Sequence, residues 1–322
     1  MKHLITGGSG FLGQSLSRAI LEKGGSVRIY DLAKSDALPK QAEFAQGDIR
    51  DRAKLEDAAK GCEIVHHLVG LMPQSRAPDD LMQAVNVEGT RNALDAALKA
   101  GAQRFVFLSS MEVYGYPKTA PFSEDHPKNP INTYGRNKVE AEAMCVACWK
   151  EKGIETVSLR PSTLVGPGIN EPTFVMTLQL LEKPPFVMPL PGGGKTRFQM
   201  TSVTDCADAC VLASERPGVA GEAFNIGADD TLSMRGQVEE LLARVGKKAR
   251  FVSIPAGLSK FLLLFAYRLG ISKLEPDHIS LLDSEMVMDC AKAKRMLGWK
   301  PKKTNIDMTL ETFESYRKEK AK

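Results

Sequence analysis

The sequence predicts an α/β fold, with a doubly wound parallel sheet in the first half of the chain and a smaller C-terminal α/β lobe. Short apolar runs alternate with amphipathic helical patterns over the first 160 residues, as in successive βαβ units. After Pro161 this rhythm changes, and prolines and glycines crowd residues 184–194, where we expect a loop. We therefore predict a first domain over residues 1–160 and a substrate-binding lobe over residues 161–322, with an interleaved boundary.

Each predicted strand is a short, largely apolar run, and each predicted helix is an amphipathic stretch between two such runs. Residues 105–108 show the continuous apolar pattern of a parallel strand that is buried on both faces. The predicted strands are residues 3–6, 27–30, 42–46, 64–68, 104–108 and 156–159. The predicted helices are residues 10–23, 51–59, 81–99 and 134–152, followed in the C-terminal lobe by 204–213, 234–244 and 290–297.

Composition excludes several classes of protein. The chain has 322 residues, of which 43% are hydrophobic and 25% charged, which is typical of a globular protein and not of a disordered, fibrous or disulfide-rich one. The net charge of +4 is too small to indicate a nucleic-acid-binding protein. Six cysteines at scattered spacings predict reduced thiols in a cytoplasmic protein. The Cys145–Cys148 pair lies within a helical run, so we expect no metal site.

Two further features concern membranes. The first predicted strand begins so close to Met1 that we expect no signal peptide. The longest apolar run, residues 261–267, is far shorter than the ~20 residues that a membrane span requires. We expect a buried helix there, in preference to a helix that lies under a lipid-like substrate or on a membrane surface.

A glycine-rich segment, TGGSGFLG at residues 6–13, follows the first predicted strand and opens a helix. Gly7, Gly10 and Gly13 allow a tight turn and a close approach of a pyrophosphate to backbone N–H groups, and the helix N-terminus adds a favourable partial charge. This context predicts a dinucleotide-binding loop, which also includes Phe11 and Leu12.

The end of the second strand indicates which dinucleotide binds. Asp31 lies there, where a carboxylate can accept a hydrogen bond from the adenosine ribose 2′-hydroxyl. Because the same carboxylate would repel a 2′-phosphate, we predict NAD in preference to NADP, although the nearby Lys34 leaves NADP open.

The third and fourth strands end in further candidate cofactor residues. Asp48 and Ile49 close the third strand, where the aspartate can reach the adenine amino group. Leu68 and Val69 close the fourth strand, at the carboxyl edge where such sheets bind ligands.

Tyr134 and Lys138 lie four residues apart, on one face of a predicted helix. An ammonium group beside a phenol stabilises the phenolate, so we expect Lys138 to lower the pKa of Tyr134 and to make it an acid/base near neutrality. A strand upstream ends in Ser109 and Ser110, and a serine there can hydrogen-bond the same substrate oxygen.

Taken together, these residues make the chain similar to the extended short-chain dehydrogenases/reductases, the NAD-dependent epimerase/dehydratase family. The similarity covers nearly the whole chain, with motifs in family order. The motifs are TGGSGFLG, Asp31, GDIRD, HHLVG, NVEGT at 86–90, SSMEVYG, YGRNK, LRPSTLVGPG, FNIGADD and LGWKP.

The resemblance implies a Rossmann domain with bound NAD, a C-terminal substrate lobe and a catalytic triad of Ser110, Tyr134 and Lys138. Ser110 is preferred to Ser109 because the family's hydroxyl lies three residues before the valine of VYG. Tyr134 and Lys138 would also contact the cofactor, as would Pro161 in the LRPSTLVGPG motif. Asn86 corresponds to a family asparagine that supports the active site, and we place it on the substrate side.

The same resemblance bears on the reaction. The implied activity is that of an NAD-dependent epimerase-type oxidoreductase or isomerase, in which Tyr134 takes the proton of a substrate hydroxyl. Dehydration is disfavoured, because Met111 replaces the acidic residue of the related sugar dehydratases. Glu112 lies where nucleotide-sugar decarboxylases have a functional glutamate, so a decarboxylase stays open. A non-catalytic NAD-binding subunit is less favoured, because the triad is intact.

The substrate depends on residues of the C-terminal lobe. A nucleotide sugar is our first expectation, but relatives that bind one usually carry an arginine where this chain has Phe198. Arg197 is one residue early, so on a strand it would face the opposite side. The alternative is a dehydrogenase or ketoreductase that acts on a less polar, sterol-like alcohol.

The resemblance also implies a partner, a second copy of the chain. A homodimer would form through the helices at 81–99 and 134–152, packed as a four-helix bundle. Small and apolar residues suited to that packing are Ala141, Ala143, Met144, Ala147 and Cys148.

Overall fold

The computed structural model describes residues 1–230, 232–271, 274 and 276–320. The strands are β1 (Lys2–Thr6), β2 (Ser26–Asp31), β3 (Glu43–Gln46), β4 (Ile64–His67), β5 (Arg104–Leu108), β6 (Glu155–Pro161), β7 (Thr163–Val165), β8 (Val187–Pro191), β9 (Met200–Ser202), β10 (Ala223–Ile226) and β11 (Arg250–Ile254). The helices are α1 (Phe11–Glu22), α2 (Arg52–Ala59), α3 (Asp79–Gln83), α4 (Gly89–Lys99), α5 (Thr133–Lys152), α6 (Pro172–Glu182), α7 (Val203–Glu215), α8 (Met234–Arg244), α9 (Ala256–Arg268), α10 (Pro276–Ser280), α11 (Ala291–Leu297) and α12 (Asn305–Lys320).

Seven strands form one parallel sheet in the order β3-β2-β1-β4-β5-β6-β10. The order reverses between β1 and β4, and such sheets bind ligands outside the carboxyl ends of the strands at this switch point. Helices cover both faces, so the central strands are buried on both sides, and β5 (RFVFL) is apolar after Arg104. The predicted α/β fold with a doubly wound parallel sheet is confirmed.

The six strands predicted in the first half are all present, and their ends differ from the prediction by at most two residues. The helix predicted over residues 81–99 is interrupted in the structure. Residues 81–99 form α3, a wider π-helical turn over Ala84–Glu88, and then α4. The turn contains Asn86, whose side chain exchanges two hydrogen bonds with the backbone of Leu71. A π-turn of this kind re-aims a side chain within a continuous helix, which hydrophobic periodicity does not reveal.

The C-terminal half contributes to two cores. β10 joins the edge of the seven-stranded sheet, and α7 packs against α1 on one face of it. A division of the chain at residue 160 therefore separates strands of one sheet. A second core, the core of the C-terminal lobe, includes Phe174, Leu241 and Phe313 from α6, α8 and α12. The proline- and glycine-rich segment that we expected to be a loop contains β8, which pairs with β11.

The prediction of a buried helix over residues 261–267 is wrong. The segment is helical, as part of α9, but the only buried residue of α9 is Ser259. Phe261 and Phe265 are 65% and 56% exposed. Nothing in the described part of the chain covers this face. No helix among the described residues is both long and apolar enough to cross a membrane.

Candidate active site

The glycine-rich loop lies at the carboxyl edge of the sheet, between β1 and α1. Gly7 has a φ of +73°, and a Cβ atom there would lie 3.0 Å from the backbone nitrogen of Val69. A Cβ atom on Gly13 would lie 2.4 Å from the Cα atom of Gly8, so α1 packs against the loop backbone with no room for a side chain. The glycines therefore leave a bare backbone at the N-terminus of α1, as pyrophosphate binding requires.

Ser9 connects this loop to the end of β2. Its backbone N–H donates to Oδ2 of Asp31 at 3.0 Å, and Oδ1 of Asp31 accepts from the N–H of Leu32. The Ser9 hydroxyl is buried and finds no hydrogen-bond partner among the described residues. An orphaned hydroxyl and bare backbone N–H groups can donate to a pyrophosphate, and the neighbouring carboxylate can accept from a ribose hydroxyl. The residues therefore fit NAD, and Ser9 is a candidate cofactor residue that the motif alone did not single out.

We expect Asp31→Asn to weaken NAD binding by about tenfold or more, because hydrogen bonds to a charged group contribute about 1.5–3 kcal/mol. The preference for NAD over NADP should fall as well, since the substitution removes the charge that repels a 2′-phosphate. Titration calorimetry with both dinucleotides measures the two effects. Asp36→Asn, an exposed change in the same segment, is the matched control. An unchanged ratio of NAD to NADP affinity would remove Asp31 from the site.

The predicted adenine-side residues lie at the same edge of the sheet. The carboxylate of Asp48 binds Arg50, at 3.0 Å from Nε and 2.5 Å from Nη2. This hydrogen bonding holds the pKa of Asp48 below its usual range. Ile49 is buried against Gly89. Because Arg50 already binds the Asp48 carboxylate, its contact with adenine stays a prediction.

Three other predicted cofactor residues follow the ends of central strands. The Leu68 N–H donates to the carbonyl of Thr6 at 3.0 Å, so β4 runs on beside the glycine loop into Val69. Pro161 is the last residue of β6 and is buried. In the loop itself, Leu12 is buried and Phe11 is partly exposed.

Ser110, Tyr134 and Lys138 come together where β5 ends and α5 begins. Ser110 caps a short helical turn over Met111–Val113, where its hydroxyl accepts from the N–H of Glu112, and it lies close enough to Tyr134 to lower the pKa of the phenol. Nζ of Lys138 lies 5.5 Å from the centre of the Tyr134 ring and donates to the carbonyl of Leu108 at 2.7 Å. Ser109, by contrast, is buried and donates to Glu142 at 2.6 Å. Ser110 is thus the serine that faces the tyrosine.

The expected lowering of the Tyr134 pKa is wrong for the chain by itself. Burial and then the charge of Glu112 raise the pKa of Tyr134 above its usual value of 10, and the Ser110 hydroxyl opposes them only in part. Burial also lowers the pKa of Lys138 to about 8. The physical reason is desolvation, which penalises the charged form of both groups. The chain alone therefore does not produce a phenolate at neutral pH.

This desolvation gives Lys138 an effect on stability. Below about pH 8 the folded chain keeps a buried ammonium group at a cost, and the cost disappears as the pH rises toward the unfolded pKa of 10.5. We expect Lys138→Met to raise the free energy of unfolding by about 1–3 kcal/mol at pH 7 and by much less above pH ~10. Urea denaturation without added NAD, at both pH values, measures this difference.

The matched control for this experiment is Lys150→Met, which removes an exposed ammonium group from the same helix. Its effect should stay within about 0.5 kcal/mol at both pH values. A loss of stability in Lys138→Met at pH 7 would contradict the prediction. It would mean that the hydrogen bond to Leu108 outweighs desolvation.

Known protein families include one whose conserved region matches the part of the chain that holds these residues. The family model described as "NAD dependent epimerase/dehydratase family" matches residues 3–227, which span the glycine loop, the triad and β10. The chain belongs to this family. It is an enzyme of the extended short-chain dehydrogenase/reductase class, and its cofactor is NAD.

Relatives within the family differ in substrate. The UDP-glucose 4-epimerase of Vibrio cholerae is 30% identical over 314 residues, which cover 94% of this chain and 91% of the epimerase. The decarboxylating sterol-4-alpha-carboxylate 3-dehydrogenase of Mus musculus is 27% identical over 339 residues, which cover 99% of this chain and 92% of the dehydrogenase. A short-chain dehydrogenase/reductase superfamily protein from Agrobacterium tumefaciens, solved with bound NAD, superposes with a TM-score of 0.78 at 26% identity. That match covers 100% of this chain and 98% of the other.

Two residues predicted to bind substrate, Asn86 and Arg197, are hydrogen-bonded to other parts of the chain. Asn86 is buried, and its amide binds the backbone N–H and carbonyl of Leu71. We therefore assign it to positioning of the segment after β4, not to substrate contact as predicted. Arg197 forms a bidentate ion pair with Glu285, with N–O distances of 2.9 and 2.6 Å. Phe198 packs against the core of the C-terminal lobe.

Glu112 has a defined position beside the triad. One of its carboxylate oxygens accepts from the side-chain amide of Asn132 at 2.8 Å. Asn132 also caps α5, because its oxygen accepts from the N–H of Gly135. Asn132 was missed, although an asparagine just before a helical run is an N-cap signal that could have identified it. Through this cap, the start of α5 fixes both Tyr134 and the glutamate whose charge acts on it.

Proposed function

We propose that the chain is an NAD-dependent epimerase-type enzyme that oxidises a hydroxyl of a nucleotide sugar transiently. The observation that carries this proposal is the meeting of Ser110, Tyr134 and Lys138 at the carboxyl edge of the sheet, next to the glycine cradle. A phenol beside a serine hydroxyl, with an ammonium group one helical turn away, is an arrangement suited to moving a hydroxyl proton.

Each residue of the triad has its own part in the oxidation of the hydroxyl. Tyr134, as phenolate, takes the proton of the substrate hydroxyl, and Ser110 donates a hydrogen bond that orients the oxygen. Lys138 supplies the positive charge near the phenolate and a donor for the cofactor ribose. Bound NAD⁺ supplies a hydride acceptor and the positive charge of its nicotinamide ring. If the ketone turned before the bound cofactor reduced it again, reduction from the opposite face, with the proton returned to the oxygen by Tyr134, would give the epimer.

Two observations support this choice within the family. The Vibrio cholerae relative, a UDP-glucose 4-epimerase, aligns with 94% of the chain. Met111 is buried at the position where a dehydratase would need an acid, and a thioether donates no proton. An epimerase outcome requires only the three groups described above and a ketone held long enough to turn.

A second candidate is favoured by the state of Arg197. A guanidinium held by Glu285 grips a substrate diphosphate only if it exchanges that carboxylate for phosphate oxygens. A dehydrogenase for a less polar alcohol would need no such exchange. The Mus musculus relative, named as a sterol-4-alpha-carboxylate 3-dehydrogenase, supports this alternative.

A panel of UDP- and GDP-sugars, assayed by chromatography for epimers and at 340 nm for NADH, separates the candidates. Epimer formation with no accumulation of NADH is the expected result. Stoichiometric NADH from a sterol or other secondary alcohol, with no binding of any nucleotide sugar, would establish the second candidate instead. Release of CO₂ from a carboxylated nucleotide sugar would point to a decarboxylase that uses Glu112. NAD binding without turnover of any of these compounds would point to a non-catalytic subunit.

We propose a homodimer as the working form, assembled through α4 and α5. These helices border a shallow groove of about 280 Å³, lined on the α4 side by Arg91 and Leu94 and on the α5 side by Met144 and Ala147. Ala143 and Ala147 are exposed, so a second helix pair could approach closely, whereas Ala141 and Cys148 are buried within the monomer. Sedimentation velocity tests this, and a monomer at micromolar concentration would contradict it.

We also propose a cytoplasmic location. The six cysteines are free and buried, as suits a protein made where thiols stay reduced. Fractionation of cells that express the tagged chain tests the location, and recovery outside the cytoplasm would contradict it.

A further inference from the structure

Helix α9 presents its most apolar face to solvent. Leu258, Phe261, Leu262, Phe265 and Leu269 recur at helical spacing along this side of the helix and its end, and we name them the α9 stripe. Their exposed fractions are 49%, 65%, 48%, 56% and 59%. Scattered exposed leucines are common on protein surfaces, but a continuous stripe that includes two phenylalanines marks an interaction surface.

The opposite side of α9 faces the protein. Ser259 is buried, and Leu263, Ala266 and Tyr267 are partly buried. The guanidinium of Arg76 stacks over the Tyr267 ring, with its central carbon 5.7 Å from the centre of the ring. The helix is therefore held on the lobe by its inner side, and the stripe is not a core face that happens to lie open.

The segment of the chain that contains the stripe, residues 241–271, carries charges of one sign. Residues 241–271 contain no aspartate or glutamate. The same stretch contains six cations, which are Arg244, Lys247, Lys248, Arg250, Lys260 and Arg268. Arg244 and Lys260 pair with carboxylates outside the stretch. Lys247, Lys248, Arg250 and Arg268 are exposed.

We propose that the α9 stripe docks on the surface of a membrane that contains anionic phospholipids. An interfacial helix buries a Leu- and Phe-rich face at the boundary of headgroups and acyl chains, while Lys and Arg beside it contact the headgroups. Each such cation gains about a kcal/mol of attraction near an anionic surface. The thirteen residues of α9 are too few to span a bilayer, so the helix lies in the plane of the membrane.

Charge complementarity favours this occupant over a second copy of the chain. A twofold interface built on the stripe would bring the same cationic segment of two protomers together, with no carboxylate from residues 241–271 to compensate. An anionic lipid surface supplies the opposite charge over its whole area. The choice does not depend on which hydroxyl compound the active site oxidises.

Helix α9 also contacts the segment that follows β4. Arg76, which contacts Tyr267 of α9, lies in the segment that follows β4. Leu71, at the start of that segment, is the residue held by Asn86. A membrane bound at α9 would therefore lie near the segment after β4, which Asn86 holds in place.

Co-sedimentation of the full chain with lipid vesicles tests the proposal. The wild-type protein should bind vesicles of phosphatidylcholine with ~30% phosphatidylserine at least about tenfold more tightly than vesicles of phosphatidylcholine alone. Raising the ionic strength about tenfold, which shortens the Debye length about threefold, should reduce this binding. Equal binding to both vesicles, or binding to neither, would overturn the proposal.

Variants separate the stripe from a general surface effect. Phe261→Ser combined with Phe265→Ser should weaken vesicle binding at least about tenfold. Leu262→Ser and Leu232→Ser form a matched pair, because the two leucines are 48% and 45% exposed and only Leu262 belongs to the stripe. Only Leu262→Ser should weaken binding. Lys247→Gln with Lys248→Gln should weaken binding to the anionic vesicles and leave the weak binding to phosphatidylcholine unchanged.

Two further measurements decide between occupants. Melting temperature and NAD affinity should match wild type in every variant, because the substituted residues are exposed and lie outside the three hydrophobic cores of the described chain. Wild-type vesicle binding by the phenylalanine double variant would overturn the proposal. So would a fall in sedimentation mass of that variant in the absence of lipid, since it would show that the stripe joins two copies of the chain.

Discussion

Replacement of Tyr134 by phenylalanine is expected to lower kcat by about 10²- to 10⁴-fold while NAD affinity stays nearly unchanged. The phenol is the group placed to take the substrate proton, and general acid–base catalysis contributes a factor of this size. The ring itself remains, so the packing around Tyr134, which is 9% exposed, is preserved. Steady-state kinetics with the substrate identified from the panel, together with calorimetric titration of NAD, measure both quantities.

Tyr116→Phe provides the control, because it removes the hydroxyl of a tyrosine that is 42% exposed and lies outside the site. It should leave kcat and KM unchanged. If Tyr134→Phe kept more than about a tenth of wild-type kcat, another group would have to be the acid/base. A loss of NAD affinity equal to the loss of kcat would instead show that Tyr134 binds the cofactor and performs no proton transfer.

The raised pKa of Tyr134 bears on how this residue becomes a base. Burial and Glu112 hold the pKa of Tyr134 above 10 in the chain alone. A phenolate at neutral pH therefore needs positive charge beside the phenol, which Lys138 and the nicotinamide ring of bound NAD⁺ would supply together. We infer that proton transfer is coupled to cofactor binding.

The parts of the molecule that the sequence predicted are those encoded locally. The glycine loop follows from spacing within residues 6–13, and the Tyr134–Lys138 pair follows from a helical repeat of four. The fold class follows from the alternating βαβ units. The glycine loop and the Tyr134–Lys138 pair each join residues that are also close along the chain.

The parts that were missed depend on long-range contacts. The ion pair of Arg197 joins residues 88 positions apart, so no local pattern shows that the guanidinium is engaged. In the run 261–267 the residues are apolar on every side, and periodicity therefore does not tell which side meets the core. The pKa of Tyr134 depends on burial and on Glu112, although the neighbouring Lys138 alone predicts the opposite shift.

The second large effect concerns a buried ion pair behind the triad. Arg160 of β6 donates from Nε and Nη2 to Glu142 of α5, at 2.8 and 2.7 Å, and both side chains are almost fully buried. Arg160 also donates to the Tyr114 hydroxyl. Glu142 accepts from Lys128 and Ser109 as well. Although burial alone would raise it, these partners hold the pKa of Glu142 below its usual range.

Arg160→Met is expected to lower the free energy of unfolding by about 3–5 kcal/mol at pH 7, because it leaves a buried carboxylate with only part of its compensation. Glu142 stabilises the fold above its unfolded pKa of about 4.3, and this contribution is lost as the pH falls through the lower folded value. The difference between wild type and variant should therefore shrink in acid. Urea denaturation at pH 7 and near pH 4 measures it.

Arg244→Met, which removes one partner of an exposed ion pair on α8, should change stability by less than about 1 kcal/mol. A similar small effect for Arg160→Met would mean that water or Lys128 fully compensates Glu142.

A double variant decides what this ion pair does for the enzyme. Apolar replacement of both partners of a buried pair is often neutral or stabilising, so Glu142→Leu with Arg160→Met should recover much of the stability lost in Arg160→Met. It also removes the acceptor of Ser109, the residue next to Ser110. If the pair positions the triad, the double variant should be stable yet show a lower kcat with KM little changed. Recovery of both stability and kcat would show that the pair serves folding alone.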